Sequence, residues 1–132
     1  MAGTLTISTL SDGTNSTSST NCIQGSAKAW VNFGIASGTT ITTYSSFNVS
    51  SVTYTATGSF VVNFATALAD ANYAVSGSAG SNGVNAAGIA DTYNSGSART
   101  NRSASAFSMQ CGNLGSSFAA TNPTSVSVAV FR

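Results

Sequence analysis

The sequence predicts an all-β protein, a single-domain antiparallel β-sandwich or jelly-roll-like fold of about eight short strands. Three observations lead there. Hydrophobic residues make up 42% of the 132, enough for one core but with no length left for a second domain. Charged residues are only 5%, against roughly 25% in an average soluble domain, and Ser, Thr, Asn and Gly fill their place. Ser, Asn and Gly disfavour helix interiors, because the first two compete for backbone bonds and Gly costs backbone entropy. Lastly, short apolar-polar alternations recur between turn signals, as half-buried strands require.

Thr4 to Leu10 alternates through Leu5 and Ile7 and reads as a strand, and Asp12-Gly13 marks a turn. Ser11 to Asn21 is nearly all Ser, Thr, Asn and Gly. It reads as an extended arm lying on a neighbouring subunit, with a flexible linker as the alternative. Residues 1–26 are therefore set apart as an N-terminal strand and arm, and 27–132 as the sandwich. Ala27 to Phe33 (AKAWVNF) reads as a core strand, with Trp30 and Phe33 assigned to the core. Thr40 to Tyr44 is a second strand. Residues 47–64 read as a β-hairpin turning at Gly58, with a phase shift at Ser50-Ser51 that suits a bulge or a bend. Phe64 joins the predicted core.

Ala65 to Asn72 reads as a connecting loop with room for one helical turn, and leads into a strand at Tyr73, another core position. Gly77 to Ser103 is the least regular part, with a weak strand at Ala86 to Asp91. Ala104 to Cys111 and Ser125 to Arg132 (SVSVAVFR) alternate again. A terminal strand with little charge to guard its edge calls for subunit pairing.

Several chemistries lack their residues. The chain has no His, and its three acidic residues are all Asp, at 12, 70 and 91. A Ser-His-Asp or Cys-His arrangement is impossible without His, and nothing in the Asp spacing suggests a glycosidase pair. Two distant Cys do not make a zinc site, and no Gly-rich phosphate loop is present. The reading is no enzyme, no cofactor and no metal. Net charge is +1, with cations too few and scattered for nucleic acid. No run is long enough to insert in a membrane. The start has neither a basic nor an apolar leader region, so folding in a cytoplasm is expected. Cys22 and Cys111 then read as two separate buried thiols, with a bridge formed after release from the cell as the alternative. Asn15, Asn48 and Asn101 head Asn-x-Ser/Thr triplets, which chance explains in so Ser/Thr-rich a chain. Tyr93, Arg99 and Arg102 are the candidate partner-binding residues, since Tyr and Arg anchor interfaces and loops on a rigid scaffold carry binding.

The motifs KAWVNF, FNVSSV and FATALADANYAV, within Ser11 to Phe33 and Phe47 to Ala79, resemble a family of tailed-phage virion proteins and tail-fibre modules. Family proteins often follow KAWVNF with a Gly-rich turn and an Arg-containing strand, whereas GIASGTTITTY (Gly34 to Tyr44) lacks the Arg. The resemblance implies a non-enzymatic structural protein of the virion, commonly a homotrimer, assembled in the host cytoplasm. Its partners would be its own copies and other virion proteins, with a host-surface glycan or receptor as a further candidate. A tail-fibre or adhesion role comes first, a capsid decoration (cement) protein second, and a secreted lectin-like adhesin third.

Overall fold

A computed structural model describes residues 3–80, 87–91, 102–114 and 118–132. In chain order the elements are β1 (Thr9–Ser11), β2 (Ser16–Ser18), α1 (Ser19–Gly25), β3 (Ala27–Ser37), β4 (Thr40–Phe47) and β5 (Val49–Ala56). Then follow β6 (Ser59–Phe64), β7 (Ala74–Gly80), β8 (Ala87–Asp91), β9 (Ala106–Leu114), β10 (Phe118–Ala120) and β11 (Ser125–Phe131). The fold class is the predicted one: all-β, antiparallel and sandwich-like. Among the described residues the strands number eleven rather than about eight, because β1, β2 and β10 are too short for alternation to reveal them.

One sheet runs β4-β3-β11-β7-β8-β9-β6-β5, with β10 beside β9, and folds back on itself into two layers. The first layer is β4-β3-β11-β7 and the second is β8-β9-β6-β5. At one margin β7 meets β8 through a single registered pair, Ala79 with Ala87. At the other the chain turns from β4 into β5 at Asn48, a non-glycine residue with φ of 52°. The Asn48 amide holds that corner. Its Nδ2 donates to the carbonyls of Lys28 and Thr66 at 3.1 Å each, and its Oδ1 accepts from the Thr66 N–H at 2.8 Å. The expected bulge is present as a register shift between Val49 and Ser51.

Strand period fills the interior. Ala29, Val31 and Phe33 of β3 and Val126, Val128 and Val130 of β11 face Phe60, Val62 and Phe64 of β6 and Phe107 and Met109 of β9, all buried. Across the layers Phe33 meets Phe60 edge-on at 5.3 Å, and Phe64 meets Tyr73 at 5.8 Å, geometries that the ring quadrupole favours. Burying each such ring stabilises by about 1.5–3 kcal/mol. Two glycines permit close approach. A side chain on Gly58, whose φ is +69°, would meet the Cys111 carbonyl oxygen at 2.3 Å, and one on Gly34 would meet that of Thr124 at 2.1 Å.

Some expectations need correction. The terminal strand has no open edge to guard, because β11 lies between β3 and β7 and pairs with both. Trp30 is not in the core: it is 38% exposed, on the opposite face of β3 from Phe33. The two differ by an odd number of residues, so a regular strand cannot bury both on one side. Thr4 to Leu10 is not one strand, because the Asp12-Gly13 turn pairs only Thr9–Ser11 with Ser16–Ser18. Residues 19–25 are helical, since Ser18 caps them by accepting the Asn21 N–H at 3.1 Å. The 65–72 connection has no helical turn. Its N–H groups go elsewhere: Ala65 to the Asn48 carbonyl, Thr66 to the Asn48 side chain and Leu68 to the Ala104 carbonyl. Both thiols are free, but only Cys111 is buried; Cys22, on the exposed helix, is not.

Candidate functional site

Of the three candidate partner-binding residues, Tyr93 and Arg99 lie outside the described residues. Arg102 is held against the body of the fold. Its guanidinium sits 5.4 Å from the Tyr73 ring centroid and donates to the Tyr73 carbonyl. The Tyr73 hydroxyl in turn lies 3.1 Å from the carbonyl oxygens of both Ser103 and Ala106. Arg102 thus braces the approach to β9 through a cation-π contact and a charge-assisted bond. Phe33, Phe64 and Tyr73 are buried.

Four titratable groups among the described residues, Asp12, Asp70, Cys111 and Arg132, are set by local structure. Asp70 accepts from Arg132, whose Nε lies 3.0 Å from Oδ1, and from the Asn72 N–H at 2.7 Å. The Arg132 hydrogen bond, followed by that of Asn72, pulls the Asp70 carboxyl down to about 2. The same pair raises the Arg132 guanidinium. Asp12 is lowered by the backbone N–H groups of Asn15 and Thr14, which close the β1–β2 turn. Burial pushes the Cys111 thiol up to about 12, so it stays protonated and inert at neutral pH. Among the described residues no three His, Cys, Asp or Glu side chains come together, and no helix is long and apolar enough to cross a membrane.

A more distinctive surface is the outer face of the first layer. Register places Phe47, Trp30, Ala129 and Ser76 in one row across β4, β3, β11 and β7. The next row holds Ser45, Asn32, Ser127 and Ser78. Trp30 stands beside a floor of small side chains, and Phe47, 54% exposed, lies on its far side. Together Trp30, Asn32, Ser76–Ser78 and Ser127–Ala129 line a shallow depression of about 480 Å³. Asn32 Nδ2 donates to Ser127 Oγ at 2.7 Å, fixing the amide across the floor. Lys28 shares the outward parity of Trp30, but its ammonium is turned to the end of α1, where it donates to the Ile23 carbonyl and to Ser26 Oγ at 2.9 Å.

Comparison with known proteins gives no match among family models, curated proteins or solved structures. The functional reading therefore rests on this chain's own residues and motifs. Sequence reasoning passed over the Trp30 face because a sole Trp is by default a core residue. The signal was present in AKAWVNF: alternation puts Lys28, Trp30 and Asn32 on one side, and a lysine and an asparagine mark that side as the wet one. The partners on β7 and β11 are Ser, Gly and Ala, which carry no signal until the register brings them beside Trp30.

A second surface belongs to the N-terminal segment. Leu5 is 81% exposed and Ile23 63% exposed, and with Ile7, Leu10 and Cys22 they line an open apolar cleft between the leading segment and α1. No residue of α1 is buried.

Proposed function

We propose that this chain is a non-enzymatic structural protein of a phage virion, displayed on the particle surface as a tail-fibre or adhesion-type β module and assembled as a homotrimer. The observation that carries the reading is the division of labour between its two parts. The sandwich closes a core of its own, whereas residues 3–26 form a hairpin and helix that leave Leu5, Leu10 and Ile23 exposed. Apolar side chains grouped in water are disfavoured at about 25 cal/mol per Å², and contact with other virion proteins would remove that cost. The sandwich would then present an almost uncharged, hydroxyl-rich outer surface with an aromatic patch. The KAWVNF, FNVSSV and FATALADANYAV motifs point the same way.

A capsid decoration protein is the second reading. It is favoured by the same N-terminal segment, whose open apolar cleft suits a clamp between neighbouring capsid subunits. Copy number per particle separates the two, measured by quantitative mass spectrometry of purified virions. Copies scaling with tail proteins support the adhesion module, and copies scaling with the major capsid protein support decoration. Absence from the particle overturns both. Light scattering of the isolated protein at micromolar concentration should return three times 13.1 kDa; a monomer refutes the trimer.

A further inference from the structure

We infer that the outer face centred on Trp30 is a binding site for a neutral pyranose unit of an oligosaccharide. The proposal deepens the host-contact reading above and rests on it for its biological setting.

The argument starts from what the face offers. Two inter-strand steps from β3 to β7 make the floor about 10 Å wide, and one i,i+2 step makes it about 7 Å long. That is the footprint of one sugar ring with its hydroxyls. The floor is built from Ala129, Ser127, Ser76 and Ser78, side chains too small to fill the space beside Trp30. The face of an indole carries partial negative charge, which attracts the weakly positive C–H face of a pyranose. A sugar standing against Trp30 would direct its equatorial hydroxyls to the rim and floor.

Polar groups are in place to meet them. The Asn32 amide is oriented by its bond to Ser127, and its Oδ1 has no protein partner among the described residues. The same holds for the hydroxyls of Ser76 and Ser78. An amide and several hydroxyls, each able to donate and accept in turn, suit a polyol. Charge decides against other ligand classes. Neither row carries a formal charge, and Lys28, the one cation of this parity on β3, is committed to the end of α1. Among the described residues of this face an anionic ligand would find no counter-charge, and a cationic one no carboxylate. A second copy of the chain would find apolar anchors only at the Trp30–Phe47 edge of the face, while the depression itself, floored by Ser, Gly and Ala, would stay unfilled.

The test uses a convenient fact: Trp30 is the only tryptophan beside four tyrosines, so emission excited at the red edge, where tyrosine does not absorb, reports on this face alone. The isolated full chain is titrated with maltohexaose, cellohexaose, N-acetylchitohexaose and a linear mannohexaose. The expected result is a saturable shift in Trp30 emission with at least one of them, at a Kd of about 1 mM or tighter. By calorimetry, Trp30→Ala and Ser76→Phe, which fills the floor, should each weaken that binding about ten-fold or more. Both positions face outward, and unchanged thermal unfolding confirms that the variants fold. No saturable response to any of the four sugars overturns the proposal. So does binding that survives both substitutions, or an emission change that follows protein concentration rather than sugar. Virion mass spectrometry decides the parent reading separately: a particle protein that ignores all four sugars loses this inference alone.

Discussion

Replacing Asn48 should loosen the sandwich at the corner where its two layers join, by an amount the local geometry allows one to work out. The side chain makes three hydrogen bonds, and the one to the Lys28 carbonyl is partly buried while the two to Thr66 reach solvent. Taking about 1 kcal/mol for the first and about 0.5 for each of the others, the amide contributes about 2 kcal/mol. The backbone supplies a separate effect, because φ of 52° suits Gly or Asn and costs another side chain about 1 kcal/mol or more. Asn48→Gly should therefore destabilise by about 2 kcal/mol and Asn48→Ala by about 3. At about 4 °C per kcal/mol for a domain of this size, the midpoints should fall by about 8 and 12 °C. Thermal unfolding followed by circular dichroism, at one fixed protein concentration, reads both. If Ala is no worse than Gly, the backbone argument is wrong. If both variants melt within about 1 °C of the parent, the amide does not hold the corner at all.

Gly58→Ala should be among the most damaging single-methyl changes, costing about 3 kcal/mol or more, since positive φ and a backbone clash add; folding yield and urea midpoint would show it. Phe33→Ala should cost about 3–5 kcal/mol by opening a cavity between the layers, checked by urea unfolding. A thiol reagent at neutral pH should label Cys22 alone in the native protein and both cysteines in denaturant, because Cys111 is buried with its thiol pushed up to about 12; rapid labelling of two would refute the placement. Asp70 titrates from 3.8 when unfolded to about 2 when folded. Its stabilising effect is thus full above pH 4 and fades as pH falls from about 4 to about 2. Asp70→Asn should flatten the stability–pH curve in that window, and an unchanged curve would show that the Arg132 pair does not act in solution.

Much of the sandwich was legible in the sequence because period-2 alternation reports burial directly. SFVVNF and SVSVAVF became β6 and β11, with Phe64 buried as read and the alternation of SVSVAVF turning Val126, Val128 and Val130 inward. Trp30 shows where the same rule was overridden by a habit about residue type, and parity within AKAWVNF was the better guide. The N-terminal segment was harder. Its helix depends on one capping hydroxyl, Ser18, in a stretch where almost every residue could cap, so nothing in composition singles it out. The candidate binding face was illegible for another reason. Ser76 and Ser127 are far apart in sequence, and each is an ordinary outward strand residue until β11 is inserted between β3 and β7.

That insertion shapes how the chain must fold during synthesis. Asn32 on β3 waits for Ser127 on β11, 95 residues later, and β7 too must stay without one of its neighbours until then. The first layer therefore cannot close progressively as the chain emerges. Two strand edges remain open until the central one arrives, a non-local topology of the kind that folds in milliseconds to seconds rather than microseconds. Open edges invite pairing with other nascent chains. On this view the scarcity of long apolar runs in the chain is a matter of timing as well as of surface: hydroxyl-rich strands can afford to wait.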